Sequence, residues 1–242
     1  MGPLLAQTRL ELTVTLRNGE SLLVTLGIPV GCLLFFSTVD VLPIEGDAVD
    51  FLAPGVLALA VLSTAFANLA ISTGFDRSYG VLKRLGVTPL GRRRLVGAKT
   101  LATLAMLAIQ TTVLVPVALV LGWRPDVEPV PLVLAILLAT TAFCGLALLL
   151  AGRLPALVTL AAANATFLLL LVLSGMMFPV DKLPWGVRGA ARLLPSTALT
   201  DALHGALDPD TTIPARIWPV LAVWAAAAVT TAAIHFRWDP DR

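Results

Sequence analysis

Residues 51–75 read Phe-Leu-Ala-Pro-Gly-Val-Leu-Ala-Leu-Ala-Val-Leu-Ser-Thr-Ala-Phe-Ala-Asn-Leu-Ala-Ile-Ser-Thr-Gly-Phe, without one Asp, Glu, Lys or Arg. A helix rises about 1.5 Å per residue, so roughly 20 apolar residues cross about 30 Å of bilayer hydrocarbon. This run is long enough to span a membrane. Hydrocarbon offers no partner for backbone N–H and C=O groups, and the run lacks the alternation of a barrel strand, so a helix is required.

The same criterion picks out 21–39, 100–123, 131–152, 154–179 and 217–236. The expected fold is an all-α integral membrane protein with six transmembrane helices, forming a single transmembrane domain over 1–242. Composition agrees: 57% of residues are hydrophobic and 13% charged, whereas soluble domains carry about a quarter charged residues. The spans as drawn hold no Asp, Glu, Lys or Arg.

Short loops rich in Lys and Arg stay in the cytoplasm. With the N-terminus inside, twelve of the 17 basic residues fall on the inner side. The first outer loop carries Asp40, Glu45, Asp47 and Asp50 and no base. Both termini are therefore expected in the cytoplasm. Trp123, Trp218 and Trp238 fall at predicted span ends, where amphipathic rings prefer the headgroup region. Pro29, Pro54 and Pro116 are expected to kink helices rather than end them.

A net charge of +2 gives no basic stripe for nucleic acid. Cys32 and Cys144 sit in apolar surroundings and read as small hydrophobes, which leaves no metal site. Residues 4–20 carry scattered charges, unlike a secretory signal peptide. They place Leu5, Leu12 and Leu16 on one helical face, with Leu10 and Val14 opposite. An interfacial helix on the inner leaflet and a short soluble extension both fit.

The cytoplasmic loop after the second span reads Asp76-Arg-Ser-Tyr-Gly-Val-Leu-Lys-Arg-Leu-Gly-Val-Thr-Pro-Leu-Gly-Arg-Arg-Arg94. On a helical wheel Val81, Leu82 and Leu85 cluster while Lys83 and Arg84 point elsewhere, and Gly86 with Pro89 ends the helix early. So short a helix is marginal in water unless something packs on it. Two readings remain: a docking element for a soluble partner, or a solvated basic loop that sets topology.

The stretch resembles the membrane subunits of the ABC-2 family of exporters, the group that includes daunorubicin-type drug efflux permeases. Those subunits carry an acidic-Arg-x-x-Gly-x-Leu-x-x-Leu-x-x-Thr-Pro stretch followed by basic residues. The match here is Asp76, Arg77, Gly80, Leu82, Leu85, Thr88, Pro89 and then Arg92, Arg93 and Arg94. A second resemblance is Ser174-Gly-Met-Met-Phe-Pro179 with the 191–203 stretch, although Leu194 stands where the family has asparagine.

The resemblance implies a coupling helix that seats in an ATP-binding subunit, with Tyr79, Leu82, Lys83, Leu85 and Thr88 facing it and Asp76, Arg77, Gly80, Arg84 and Pro89 completing the segment. It implies a second permease chain, identical or related, and a cavity lined partly by the first, second and fifth spans. Asn68, Asn164, Phe167, Met176, Met177 and Phe178 are the candidate cavity residues. The last outer loop, with Leu183, Trp185, Val187, Leu193 and Leu194, is expected to re-enter the membrane as short helices. A bacterial cytoplasmic membrane is the expected location.

The chain itself carries no nucleotide site. Gly86 to Gly91 has the glycine spacing of a phosphate loop, but Arg92 and Arg93 stand where Lys and a hydroxyl are needed. Gly97-Ala-Lys99-Thr100 fails because Ala98 separates Gly from Lys. ATP and magnesium are expected in the partner, no cofactor in this chain, and no catalytic residues of its own, so it is read as a transport subunit and not an enzyme. Ion-driven carriers keep ionisable groups inside the membrane; these spans lack them, and His235 sits near a span end. The expected function is export of a hydrophobic or amphipathic substrate, such as a drug, lipid or glycoconjugate, by alternating access. The rival is a passive channel or gradient-driven carrier.

Overall fold

The computed structural model describes residues 2–38, 48–88, 91–176, 179–182, 184–208 and 211–235. Asp40, Glu45, Asp47, Leu183, Phe236 and Trp238 lie outside them. The described residues are helical throughout, with no strand among them.

Among the described residues, five stretches are long and apolar enough to cross a membrane: Val49–Ser78, Gly91–Val120, Pro129–Ala151, Ala156–Leu173 and Ile217–His235. The first is a composite rod built from α3 (Ala48–Leu62), a π-helical segment (Ser63–Asn68) and α4 (Leu69–Ser78). The others are α6 (Gly91–Val120), α7 (Pro129–Ala151), α8 (Ala156–Leu173) and α11 (Ile217–His235). Ahead of them come α1 (Pro3–Arg17) and α2 (Gly19–Thr38), whose shorter apolar stretch is Thr25–Phe35. Helices α2, α3 and α6 run through Pro29, Pro54 and Pro116.

Two boundaries differ from the sequence expectation. The third span begins at Gly91, nine residues before the predicted start, so Lys99 lies inside the helix and the expectation of charge-free spans is corrected. A hydropathy run stops at a charge, whereas the helix continues wherever that charge finds a buried partner. The fifth span ends at Leu173, where Ser174 and Gly175 turn the chain and Gly175 adopts φ 81°. Met176 therefore sits past the span and not on its wall. On α1, Leu5, Leu10 and Val14 are all exposed, while Leu4 approaches Gly97 and Thr8 approaches Ala98 of α6. The face turned inward is Leu4, Gln7, Thr8 and Glu11, because α6 offers a glycine and a cation there, while Leu5 and Leu16 stay exposed.

Helix α7 is the central element, with Ala139, Ala142, Phe143, Cys144, Ala147 and Leu148 all buried. It packs on α11 through small residues, which let two backbones approach closely. A Cβ placed on Gly145 would lie 2.6 Å from the Ala228 carbonyl carbon and 2.7 Å from the Val229 nitrogen.

The last loop holds a 3-10 turn (Val180–Lys182), α9 (Trp185–Ala191) and α10 (Pro195–Leu207). Trp185 is 91% exposed on α9. By contrast α10 is buried along nearly its whole length, wedged against α3, α7 and α11. Thr197 Oγ1 donates to the Leu173 carbonyl at 3.1 Å, His204 Nε2 lies 3.0 Å from the Phe51 carbonyl, and Trp224 Nε1 donates to the Leu193 carbonyl at 2.9 Å. The first two contacts fasten α10 to the end of α8 and the start of α3, and the third ties the turn just ahead of α10 to the middle of α11. The opposite end of the bundle carries α5 (Val81–Gly86), the α7–α8 corner and the end of α11, where Arg92 donates to the Ile234 carbonyl.

Candidate functional site

The segment between α4 and α6 is a short knuckle. Tyr79 ends α4 and Gly80 takes φ 72°, a left-handed conformation that costs glycine little and turns the chain into α5. Thr88 closes it, its hydroxyl donating to the Leu85 carbonyl at 2.6 Å. A six-residue helix has little stability of its own. Leu82, 0% exposed, supplies the anchor.

Leu82 was expected to face the ATP-binding subunit with Tyr79, Lys83, Leu85 and Thr88; it is buried in the core instead, because the short helix needs one buried side chain to hold it down. Leu85 is half-buried. The surface left open comprises Tyr79 at 74% exposure, Val81, Lys83, Arg84, Val87 at 88%, and Thr88. Pro89 lies outside the described residues.

Asp76 and Arg77, at the root of the knuckle, turn into the protein in different directions. Asp76 Oδ2 lies 3.3 Å from Lys99 Nζ on α6. Arg77, buried, donates from NH1 to the Ala151 carbonyl at 2.8 Å and at 3.4 Å to that of Leu154, at the corner between α7 and α8. Lys99 is paired a second time, with Glu11 Oε2 at 3.0 Å. One side-chain bridge lies deeper: Gln110 Nε2 donates to the Thr25 carbonyl at 3.0 Å, and Thr64 Oγ1 donates to Gln110 Oε1 at 3.1 Å. It ties α2, the π segment and α6.

A groove of about 880 Å³ opens alongside. Thr25, Ile28 and Pro29 of α2 form one wall, Leu160, Asn164 and Phe167 of α8 the other, and Ser63, Ala67 and Asn68 of the π segment lie between them. Three of the predicted cavity residues, Asn68, Asn164 and Phe167, therefore meet in one space. Met176 does not; it is buried, its carbonyl packed against Gly55. Met177 and Phe178 lie outside the described residues. The groove reaches the knuckle: Phe75 and Tyr79, whose rings stack with centroids 6.1 Å apart, both line it. Gly27 and Gly31 on α2 have no neighbour within 4 Å of where a Cβ would stand.

No group of three His, Cys, Asp or Glu suited to a metal ion occurs among the described residues. The lining of the groove is apolar with amide and hydroxyl groups, which suits binding rather than bond-making chemistry.

A family model described as ABC-2 type transporter matches residues 4–207, from the first turn of α1 to the end of α10. The chain belongs to the ABC-2 type transporter family. A search of curated proteins finds no match. As an ABC-2 membrane component, the chain is a multi-pass transmembrane part of an ABC-type transporter, a transport element whose family works with an ATP-binding subunit in a lipid bilayer.

Sequence reasoning missed the Glu11–Lys99–Asp76 cluster, the π segment and the burial of α10. The first joins residues 88 positions apart and the second has no compositional mark. Gln110 was visible as a polar residue at membrane depth, but its partners were not.

Proposed function

We propose that the chain is the permease subunit of an ATP-driven exporter of the daunorubicin-type group, moving a hydrophobic or amphipathic molecule out of the bacterial cytoplasm. Six helices span the membrane, with α2 as the first; both termini and the knuckle are cytoplasmic, α1 lies on the inner leaflet, and α9 with α10 re-enter from outside. A separate ATP-binding subunit seats on Tyr79, Val81, Lys83, Arg84, Val87 and Thr88, and a second permease chain completes the path.

The observation that carries this reading is Tyr79, which lines the groove and stands 74% exposed on the knuckle. The path for substrate and the surface for the motor thus share one rod, Val49–Ser78 with its cap. A push on the knuckle moves the groove wall directly. For net transport the ATP-bound motor must favour one membrane conformation over the other, since equal affinity shifts no population.

The test is purification of the full chain in mild detergent, with and without the double variant Lys83→Glu, Val87→Asp. An ATP-binding subunit that stays with the wild type and leaves the variant supports the reading. A gradient-driven carrier is the second reading, favoured by the ionisable cluster at Lys99 within α6. It requires the purified chain alone to move substrate across vesicles under a pH gradient.

A further inference from the structure

Lys99 is the most deeply placed cation of the described chain. Its side chain is 1% exposed, so bulk water hardly reaches the ammonium, and a buried charge persists only when paired. The pairing is with two carboxylates on two separate elements, Glu11 of α1 and Asp76 at the root of the knuckle. Gln7 Nε2 donates to Glu11 Oε1 at 2.8 Å and leaves Oε2 aimed at the lysine.

Helix α1 packs along the first part of α6, where the Thr8 hydroxyl lies 3.4 Å from the Ala98 carbonyl and Leu4 approaches Gly97. Its larger apolar side chains, Leu5, Leu10 and Val14, are exposed. Asp76, in contrast, is followed directly by Arg77, which is bonded to the α7–α8 corner. The lysine therefore joins α1, seated on α6, to the root of the knuckle.

We propose that Lys99 is a positioning residue that makes α1 travel with the knuckle, so that the ATPase-facing segment, the N-terminal helix and the third span move as one body. This rests on the reading of the knuckle as the motor's docking site. Dispersion contacts alone would let α1 slide along Gly97 and Ala98. The ionic pair fixes its register, because sliding by even one turn would take Glu11 away from the buried ammonium and leave only Asp76 to balance it.

The test uses the complex of the full chain with its ATP-binding subunit, in a background with Cys32→Ala and Cys144→Ala. Spin labels at Leu10→Cys and Ser78→Cys report the distance between α1 and the root of the knuckle; a separate Asn164→Cys chain reports groove access through labelling by a polar maleimide. The informative variant is Glu11→Gln, Lys99→Met, Asp76→Asn together. It leaves no charge buried and unpaired, and so avoids the penalty of a single replacement.

With Lys99 in place, the α1–knuckle distance stays narrow across ATP-free and vanadate-trapped states, and trapping changes the labelling rate about tenfold. In the neutral triple variant the ATPase still binds and hydrolyses, the distance distribution broadens, and trapping no longer changes labelling. Lys99→Arg retains the wild-type behaviour. An unchanged distance and an unchanged response to trapping in the triple variant would overturn the proposal, as would a parallel loss of assembly, hydrolysis and response, which marks a merely structural role. If wild-type chain holds no ATPase at all, the docking reading itself fails.

Discussion

The guanidinium of Arg77 donates a 2.8 Å hydrogen bond to the carbonyl of Ala151, placing a buried cation on the open C-terminal end of α7. The last carbonyls of a helix lack partners within it and carry the negative end of its dipole. Arg77 satisfies both needs.

Replacing Arg77 by methionine keeps most of the buried volume and removes the donor. A hydrogen bond from a charged group contributes about 1.5–3 kcal/mol, and thermal unfolding in detergent should show a loss of that order. Lysine should recover part of it, since it keeps the charge and loses the planar fork.

The contact between α7 and α11 sets the limit on side-chain size. Gly145→Val should force the two helices apart, at a cost of about 1–3 kcal/mol for an overpacked site. Gly189→Ala on α9 serves as control, because nothing lies within 4 Å of its added carbon. Melting curves of the two variants should separate clearly.

Within the knuckle, two substitutions of equal chemistry should behave differently. Leu82→Asp puts a carboxylate where no water reaches and unpacks α5, so the chain loses stability together with ATPase binding. Val87→Asp charges an exposed position and should leave melting unchanged while weakening association with the ATPase. Comparing melting with co-purification for both variants checks this.

The bridge from Thr64 through Gln110 to Thr25 ties three elements, yet its energetic weight should be small. Side-chain hydrogen bonds within membranes average about 0.6 kcal/mol, because the alternatives in the bilayer also find partners. Gln110→Leu should therefore cost about 1 kcal/mol for the two bonds together, measured by unfolding in detergent.

The apolar runs made the existence of most spans legible, since hydrocarbon thickness demands them whatever the fold. Ends were less legible. Ser174 and Gly175 stop α8 before Met176, although Met176 and its neighbours extend the apolar run. The start of α6 was hidden for the opposite reason, Lys99 reading as loop because its two partners lie 88 and 23 residues away. Asn68 and Asn164 stood out as polar residues at membrane depth, and the fold brings both to one groove. Leu82 and Val81 look alike on a helical wheel, and only tertiary packing separates the anchor from the exposed side chain. On α1 the apolar residues were legible, but the inward turn of Gln7 and Glu11 was not, because the lysine and glycine that draw them lie far away in sequence on α6.

The most direct test of the account places a photoreactive amino acid at Val87 on the knuckle and, separately, at Val130 at the opposite end of the bundle, both exposed. After illumination of intact cells, the account predicts an adduct with the ATP-binding subunit from position 87 and none from position 130. An adduct from position 130 alone, or none from position 87, would contradict it.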